Sequence, residues 1–506
     1  MISYIDNQLN KITMYRLVLY YLIFLLGAAV LFSAAGLLAY DVFALLLSIS
    51  FLLAVCWIAN RIFSRTFGVP ANVESVYISA LILALIISPI QSYNDLWFMA
   101  WAAVLAMASK YILAIKGKHI FNPVAFAVAL TYFTVSQSAS WWIANSTLLP
   151  AVLFGGLLIV RKIGRFDMVL SFFTATMAIT WLASLFNGEG AIATIQNSIL
   201  YTPLLFFAFI ILTEPITTPP TQKLRIYYGA LVGILFVPQF HIGSLYLTPE
   251  LAILIGNIYS YFVSPKEKLI LKLKERVRIA PDIYEFVFAV PRKFKFVPGQ
   301  YMEWTLGHNE PDGRGNRRYF TLASSPTEQN LKLGIKFDKK PSTFKKAMLS
   351  MDRYTEIVAS QITGDFILPN DRNQKCVFLA GGIGITPFRS MIKYLLDTHQ
   401  RRPIILLYTT KSVDDIVYKD IFDRAEKELG IKVTYNLTDS ENAPAQWDGK
   451  IGRITPQVFK TLVPDYSQCI FYISGSRNTV NSYKDTLYSL SVPAAQIKTD
   501  YFAGLA

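Results

Sequence analysis

Ten apolar stretches in the first half of the chain constrain its fold more than any other sequence feature. They cover residues 15–38, 41–60, 71–90, 96–115, 121–137, 147–160, 167–186, 197–213, 226–240 and 248–263. A helix needs about 20 apolar residues to cross the hydrocarbon core of a bilayer, and most of these stretches approach that length. The pattern predicts a polytopic α-helical membrane domain of about ten helices within residues 1–264. The remaining residues, 265–506, are long enough for two further domains.

The charges between these stretches fall into two classes of loop. Alternate loops carry the basic residues Arg61, Arg65, Lys116, Lys118, Arg161, Lys162, Arg165, Lys223 and Arg225. The opposite loops carry the acidic residues Asp41, Asp95, Glu189 and Glu250 and no Lys or Arg. Lys and Arg accumulate in cytoplasmic loops, so the alternation predicts a multi-pass protein of the cell membrane with both termini in the cytoplasm. It also accounts for much of the net charge of +14 without nucleic-acid binding.

Cysteine and histidine usage excludes several classes of redox centre. Cys56, Cys376 and Cys469 are far apart and form no C-x-x-C spacing, which argues against a disulfide scaffold and against a cysteine-ligated iron–sulfur cluster. A transmembrane haem reductase needs paired histidines across helices, and the first half contains only His119 and His241. We therefore predict no metal site, and any electron carrier should be organic.

Residues 317–326, read as RRYFTLASSP, combine the chemistry that a flavin requires. A guanidinium such as that of Arg318 matches phosphate oxygens bidentately, so it suits the anionic pyrophosphate. An aromatic ring and a hydroxyl on the same strand, such as Phe320 and Thr321, suit the flat ring system by stacking and by hydrogen bonding. An ordinary amphipathic strand is the alternative for the peptide alone.

Residues 265–506 resemble the ferredoxin–NADP reductase superfamily throughout. FVPGQY at 296–301 looks like the strand-turn before the flavin motif, and RYFTLASS at 318–325 is similar to the signature R-x-[YF]-[ST]-x-x-S. The resemblance implies an antiparallel β-barrel FAD domain at 265–370 and an α/β doubly wound NAD(P)-binding domain at 371–506. It places Arg318 on the pyrophosphate, Phe320 on the isoalloxazine and Thr321 near the flavin N5. The other residues that it implies in FAD binding are Tyr319, Ser324, Ser325, Ser342 and Thr343.

LAGGIGITPF at 379–388 matches the nucleotide loop of that superfamily. It follows an apolar strand, 376–379, and is expected to open a helix at 388–396. Glycines let the backbone approach a pyrophosphate, and the helix N-terminus adds its positive end. The predicted nucleotide-binding residues of this loop are Gly381, Gly382, Gly384, Thr386 and Pro387.

Three later positions complete the predicted site. YISGSRN at 472–478 resembles the turn beside the nicotinamide, with Ser474 where many members have Cys, followed by Gly475. The end of the chain, IKTDYFAGLA, is similar to the acidic–aromatic tail of the NAD(P)H-oxidising branch, with Asp500 and Phe502 in the matching places. Lys411 follows the strand 404–408, where it is a candidate partner for a 2′-phosphate; a solvated lysine is the alternative, so NADH and NADPH stay open.

The membrane half also resembles a known family. Residues 121–130 and 209–235 look like the D subunit of the Rnf complex and the B subunit of the sodium-pumping NADH:quinone reductase. Those relatives contain two structural repeats, and KGKHIFNPVAF and TQKLRIYYGAL begin corresponding fifth helices here. The covalent FMN threonine motif of the relatives has no counterpart, so a membrane flavin would be non-covalent FMN or riboflavin. Five tryptophans near the predicted helix ends, Trp57, Trp97, Trp101, Trp141 and Trp142, are interpreted as an interfacial belt.

These features predict a membrane-bound, FAD-dependent NAD(P)H oxidoreductase. Hydride would pass from NAD(P)H to FAD, and single electrons would then pass to a flavin or quinone in the membrane domain. The catalytic residues implied are Phe320, Thr321, Ser474 and Phe502. Expected partners are the bilayer, a quinone or other redox acceptor, and other membrane redox proteins. The alternative is a transporter or ion pump whose cytoplasmic reductase domain senses, reduces or energises its cargo.

Overall fold

The computed structural model of the protein describes most of the chain. The described residues are 5, 8–9, 12–68, 73–115, 118–188, 190–237, 241–242, 245–264, 268–290, 294–309, 311–312, 315–439, 444 and 446–502. The chain divides into two compact units, Met1–Lys268 and Leu269–Ala506. The predicted loop residues Lys116 and Glu189 lie outside the described residues.

The first unit is a bundle of helices. They are α1 Met14–Ala34, α2 Val42–Thr66, α3 Val73–Ile86, α4 Tyr93–Ile112, α5 Pro123–Val135, α6 Leu149–Ile163, α7 Phe166–Asn187, α8 Ala191–Tyr201, α9 Leu204–Ile211, α10 Gln222–Leu235 and α11 Pro249–Val263. Two short antiparallel pairs accompany them, β1 Ala114–Ile115 with β2 Lys118–His119 and β3 His241–Ile242 with β4 Leu245–Tyr246. Residues Phe207–Ile211 of α9 form a π-helical turn.

Three helices in the described part of this unit, α1, α2 and α7, are long and apolar enough to cross a membrane. The helices α8 and α9 pass the same test as one span that is bent by 64°. Each of the ten apolar stretches overlaps a helix, but ten spans are not confirmed by length and composition. The unit is therefore helical with candidate membrane spans, and its full topology stays a prediction.

Local capping explains where several of these helices begin. The carboxylate of Asp41 accepts hydrogen bonds from the N–H groups of Phe43 at 2.8 Å and Ala44 at 3.1 Å. The amide oxygen of Asn122 accepts from Val124 at 3.1 Å and from Ala125 at 3.0 Å, with a proline in the first helical position. These side chains satisfy donors that a helix leaves unpaired at its start.

Close packing of α7 and α10 depends on two glycines one helical turn apart. A Cβ atom at Gly229 would lie 2.3 Å from the carbonyl oxygen of Met168, and one at Gly233 would lie 2.5 Å from that of Phe172. Small residues four apart let helix backbones approach where lipid supplies no hydrophobic driving force. The Gly-rich helix that resembles the Rnf D subunit therefore has a packing role.

The predicted tryptophan belt is wrong for two of its five members. Trp57, Trp97 and Trp101 are exposed, as expected, but Trp141 and Trp142 are buried. The indole N–H of Trp141 donates to Glu250 at 2.7 Å, and that of Trp142 donates to the carbonyl of Ala84 at 2.9 Å. The segment after α5 folds back against the end of α3, so both rings fill the bundle interior.

The second unit begins with a six-stranded antiparallel sheet. Its strands are β5 Leu269–Ala280, β6 Ile283–Ala289, β7 Tyr301–Thr305, β8 Arg317–Thr321, β9 Asn330–Lys336 and β10 Glu356–Thr363, in the order β8-β7-β10-β5-β6-β9. The helix α12, Thr343–Leu349, packs against the same core, in which Phe288, Trp304 and Phe344 are fully buried. Antiparallel pairing agrees with the predicted flavin domain, and closure into a barrel stays a prediction.

A six-stranded parallel sheet follows. Its strands are β11 Cys376–Gly381, β12 Ile404–Thr410, β13 Lys432–Leu437, β14 Lys450–Ile451, β15 Ile470–Ser476 and β16 Ile497–Phe502, in the order β14-β13-β12-β11-β15-β16. The connecting helices are α13 Thr386–Asp397, α14 Lys419–Leu429, α15 Pro456–Leu462 and α16 Arg477–Ser489. Separate apolar clusters cover the sheet. The strand order reverses between β11 and β15, which is where open α/β sheets bind ligands.

Candidate functional site

The predicted flavin strand lies at an edge of the antiparallel sheet. It is β8, and it pairs only with β7 among the described strands. The side chain of Thr321 is buried, whereas Tyr319 is 43% exposed. An edge strand leaves one row of backbone N–H and C=O groups without a strand partner, and a flat ring with polar edges fits beside it. The position of β8 is therefore compatible with flavin binding.

Arg318 lies beside the second predicted phosphate element. Its guanidinium donates to both carboxylate oxygens of Asp312, at 3.0 and 3.2 Å, and lies 5.1 Å above the ring of Phe344. The N–H of Asp312 donates to the hydroxyl of Thr343 at 3.0 Å. An anionic group therefore already contacts Arg318 where a pyrophosphate is expected, and this position suits a phosphate chemically.

Ser342 and Thr343, which the resemblance implies in FAD binding, lie at the start of α12. Ser342 is the N-cap, and its hydroxyl accepts a hydrogen bond from the N–H of Lys345 at 3.3 Å. His308, which sequence reasoning missed, contacts the Thr343 hydroxyl through Nε2 at 3.1 Å. Because His308 and Asp312 precede the flavin strand in an irregular turn, no local sequence pattern indicates their contact with α12.

Tyr319 and Phe320 contact the sheet in different ways. The Tyr319 hydroxyl donates to Glu303 at 2.9 Å, and Glu303 is buried on β7. The ring of Phe320 lies 6.0 Å from that of Phe344 and is tilted by 40°. Arg318, Phe320 and α12 therefore meet at one place, which brings together the residues predicted for the pyrophosphate and for the ring system of FAD.

Ser324 and Ser325 follow β8 and have partners within their own turn. The Ser324 hydroxyl accepts from the N–H of Lys332 at 3.1 Å, and the Ser325 hydroxyl is 2.6 Å from that of Thr327. The N–H of Ser325 donates to Glu328 at 2.7 Å. Their polar groups stabilise the turn, and a direct role of either hydroxyl in binding FAD stays a prediction.

The glycine loop connects β11 to α13 at the point where the strand order reverses. Gly382 has a φ of +54°, and a Cβ atom there would have no neighbour within 4 Å. A Cβ atom at Gly384 would lie 2.3 Å from the carbonyl oxygen of Ser474. The loop can therefore lie against β15 only because residue 384 has no side chain. A Cβ atom at Gly381 would meet Thr479 at 2.4 Å.

The elements beside this loop are longer than the sequence predicts. The strand continues to Gly381, a 3₁₀ turn covers Gly382–Ile385, and the helix begins at Thr386, two residues before the expected start. Proline in the first turn of a helix loses no hydrogen bond, so Pro387 favours this earlier start. The Thr386 hydroxyl donates to the carbonyl of Ile383 at 3.2 Å.

Ser474 faces the glycine loop from β15. It is fully buried, and its hydroxyl has no hydrogen-bond partner within the described residues. Buried hydroxyls normally have partners, so a polar group of a nucleotide ring would complete this position. Gly475, the next residue, packs against Gly381, where a Cβ atom would lie 3.2 Å from the carbonyl oxygen.

Thr321 and Asp500 connect the flavin sheet to the nucleotide sheet. The Thr321 hydroxyl donates to Asp500 on β16 at 3.3 Å. Burial raises the pKa of the Asp500 carboxyl to about 6, and the hydrogen bond from Thr321 acts in the opposite direction. Phe502 ends β16, and its side chain lies outside the described residues.

Lys411 follows β12, but this strand extends to Thr410 rather than ending at residue 408. The hydroxyl of Thr409 lies 2.6 Å from that of Tyr483, and the hydroxyl of Thr410 donates to the carbonyl of Ser412 at 2.9 Å. The Lys411 side chain is exposed. Both predictions for it, a 2′-phosphate partner or a solvated lysine, stay open.

Two family descriptions match separate parts of the chain. The oxidoreductase NAD-binding domain matches residues 378–485, which contain the glycine loop, β12 and Ser474. The NQR2, RnfD, RnfE family matches residues 144–266. The chain is a fusion of these two modules.

Relatives match the C-terminal half. A glycine betaine monooxygenase reductase subunit of Chromohalobacter salexigens is 26% identical over 217 residues, covering 41% of this chain and 57% of the relative. A flavohemoprotein of Oceanobacillus iheyensis is 23% identical over 220 residues, covering 42% of this chain and 52% of the relative. The chain spans about half the length of the curated relatives it matches.

Solved structures match the same half. The FAD/NAD-binding domain of nitric oxide dioxygenase from Vibrio cholerae is 17% identical with a TM-score of 0.40, covering 46% of this chain and 98% of that domain. Ferredoxin-NADP+ reductase from Plasmodium falciparum is 19% identical with a TM-score of 0.38, covering 47% and 98%.

Replacing Gly384 by alanine should destabilise the nucleotide loop, because the new Cβ atom would meet the backbone of β15. Overpacking of this kind costs about 1–3 kcal/mol. We expect Gly384→Ala in the full chain to weaken NAD(P)H binding about tenfold or more while FAD content stays unchanged. Nucleotide titration and flavin absorbance measure the two effects. Gly307→Ala, where a Cβ atom meets nothing within 4 Å, is the matched control and should bind normally.

Asp500 should make stability depend on pH in the opposite way to an ordinary salt-bridged aspartate. Its folded pKa, about 6, lies above the unfolded value, so the folded state binds the proton more tightly and ionisation destabilises it. Relative to wild type, the melting temperature of Asp500→Asn should rise between pH 4 and 6 and level off above. Asp485→Asn, an exposed carboxylate on α16, should show no such trend. Parallel curves for wild type and Asp500→Asn would contradict the raised pKa.

Proposed function

We propose that the C-terminal unit transfers hydride from NAD(P)H to FAD and that the membrane unit passes the electrons singly to an acceptor within it. The observation that carries the proposal is the Thr321–Asp500 hydrogen bond, which joins the end of the flavin strand to the last strand of the nucleotide sheet. Hydride transfer requires the two ring systems to be held together in one geometry. A contact between these strands supports that arrangement.

The residues divide into three groups in this proposal. Arg318 and the start of α12 bind the FAD phosphates. Tyr319, Phe320 and Thr321 orient the ring system. Ser324 and Ser325, in the turn after β8, complete the FAD site. The glycine loop binds the nucleotide pyrophosphate. Ser474, Gly475 and Phe502 hold the nicotinamide, and Lys411 lies at the adenosine end. FAD, when bound, supplies the conversion from a two-electron donor to a one-electron acceptor.

The test of the flavin assignment compares two neighbouring arginines. Arg318→Ala should lose most of the bound FAD, because a bidentate anion ligand disappears. Arg317→Ala removes the same charge, but Arg317 lies 3.7 Å from Glu303 rather than beside α12, so this variant should keep FAD and activity. Flavin absorbance per protein and NAD(P)H oxidation with an artificial dye are measured. Colourless wild-type protein after purification with added FAD would refute the proposal.

The acceptor site is proposed at the polar loops that precede α5 and α10. The amide of Asn122 donates to Glu214 at 2.8 Å, and His119 lies 3.6 Å from the same carboxylate. These contacts bring polar groups of the loop before α5 and of the loop before α10 together. The guanidinium of Arg225, in the first turn of α10, lies 2.9 Å from Asp167. A quinone or a non-covalent FMN or riboflavin is the proposed acceptor.

Membrane vesicles test two proposals in one experiment. The first is the acceptor, and the second is the topology, in which ten spans leave both termini in the cytoplasm. Sealed inside-out vesicles should oxidise added NADH or NADPH and reduce a quinone analogue, because the reductase unit then faces the medium. Right-side-out vesicles should be inactive, since the charged nucleotide does not cross the bilayer. Vesicles with Arg318→Ala provide the blank. Equal activity in both orientations would contradict the topology, and dye reduction without quinone reduction would contradict the acceptor.

A redox-energised ion pump is the second candidate. The observation that favours it is a buried polar chain in the bundle, in which Asn257 accepts from the N–H of Asn122 at 2.8 Å and donates to Tyr228 at 3.0 Å. Polar groups inside membrane bundles often mark ion paths. Glu74, an acidic residue in the first turn of α3, lies 3.0 Å from Arg16. Ion uptake by the same inside-out vesicles during NAD(P)H oxidation separates this candidate from a simple oxidoreductase.

A further inference from the structure

One face of α13 holds the turn that follows the flavin strand. Arg389 donates to the carbonyl of Ala323 at 3.0 Å, and the Ser390 hydroxyl donates to the carbonyl of Ser324 at 2.6 Å. Arg389 is 3% exposed, and Ser390 is fully buried. These bonds join the helix that the glycine loop opens to the backbone that directly continues β8. The contact is thus between the two halves of the candidate site.

Glu328 closes the turn on the side of Arg389. The guanidinium contacts both carboxylate oxygens, and the distance from Nη2 to Oε1 is 3.0 Å. The same carboxylate accepts from the N–H of Ser325 at 2.7 Å and lies 3.3 Å from Lys332. Burial acts to raise the pKa of Glu328, but the hydrogen bonds and charge of Arg389 outweigh it and lower that pKa below its usual value. The pair is therefore ionised at neutral pH.

The far end of the helix makes a third connection. The Thr327 hydroxyl donates to Asp397 at 2.5 Å, and Lys393 contacts the same carboxylate one turn earlier. Contacts of residues 389, 390 and 397 attach the turn after β8 to α13 along nearly the whole length of this helix. A short helix held in this way moves as one piece, so a shift at its N-terminus changes the position of the turn.

We infer that Arg389 and Glu328 are positioning residues that couple nucleotide binding at the glycine loop to the flavin strand. The inference rests on the proposed function, because it assigns the glycine loop to the nucleotide and β8 to FAD. Nucleotide binding sets the position of α13, and the partly buried ion pair transmits that position to residues 323–325. Neither residue touches the reacting atoms; both act through the backbone that carries Thr321. Coupling of this kind is reciprocal between the two ligands.

The test replaces one carboxylate in each of two Arg–Glu pairs. Glu328→Gln removes the charge that pairs with the buried Arg389, and Glu428→Gln removes the charge of an exposed pair on α14, in which Arg424 lies 2.6 Å from Glu428. In the full-length protein, Glu328→Gln should retain FAD and bind nucleotide within about threefold of wild type. Its limiting rate of flavin reduction should fall about tenfold or more, because small misplacement is costly for a positioned reaction. Glu428→Gln should match wild type.

A spectroscopic readout separates coupling from simple loss of stability. Adding NAD⁺ or NADP⁺ to the oxidised wild-type protein should perturb the flavin absorption bands, and Glu328→Gln should lose most of this difference spectrum while the nucleotide still binds. Ser390→Ala removes one hydrogen bond without a charge, so it should shift both readouts in the same direction by a smaller factor. It decides the question if Glu328→Gln does not fold.

Different results would contradict the coupling and the proposed function. Wild-type protein that holds no FAD or does not oxidise NAD(P)H refutes the proposed function. Active wild type with an unchanged reduction rate and difference spectrum in Glu328→Gln, or in Ser390→Ala where that variant decides, overturns the coupling alone. A fall in nucleotide affinity that fully accounts for a slower rate would also overturn it, because a positioning role requires the loss at saturating nucleotide.

Discussion

The close approach of the glycine loop to β15 is the constraint on which the candidate site depends. Backbone atoms of Ser474 and Gly475 occupy the space where any side chain at residue 384 would lie. The loop can therefore turn directly into α13 at the point where the strand order reverses, and the start of that helix faces the end of the sheet. The contacts of Arg389 and Ser390 with the flavin turn follow from this placement, because they lie in the first turn and a half of the same helix.

A different constraint shapes the membrane unit. Polar groups removed from water must find partners within the protein. Trp141 meets this requirement through Glu250, and Asn122 meets it through Asn257 and Glu214. Each of these bonds connects segments that are far apart in sequence. Polar side chains thus determine how the helices associate, while Gly229 and Gly233 determine how closely two of them pack.

Elements whose signals lie in consecutive residues could be predicted from the sequence, whereas features that depend on contacts between distant residues could not. The flavin strand, the N-cap at Ser342 and the glycine loop were predictable, because a strand pattern, a capping residue and a Gly-rich turn are written in consecutive residues. The burial of Trp141 was not, since an aromatic residue after an apolar helix has the same local pattern whether it faces lipid or the bundle. The Asp312–Arg318 and Glu328–Arg389 pairs also have no local signature.

The protonation of Asp500 bears directly on the chemistry proposed at Thr321. With a pKa of about 6, the carboxyl is mostly ionised at pH 7 and accepts the hydrogen bond from the Thr321 hydroxyl. Below about pH 6 the carboxyl is mostly protonated and can donate instead, so the Thr321 hydroxyl is free to donate its hydrogen bond to another acceptor. The resemblance assigns this hydroxyl to the neighbourhood of the flavin N5, the atom that receives hydride. In the proposed function, the orientation of the Thr321 hydroxyl therefore depends on a carboxyl whose pKa burial raises to about 6, and this carboxyl belongs to β16 of the nucleotide sheet rather than to the flavin sheet.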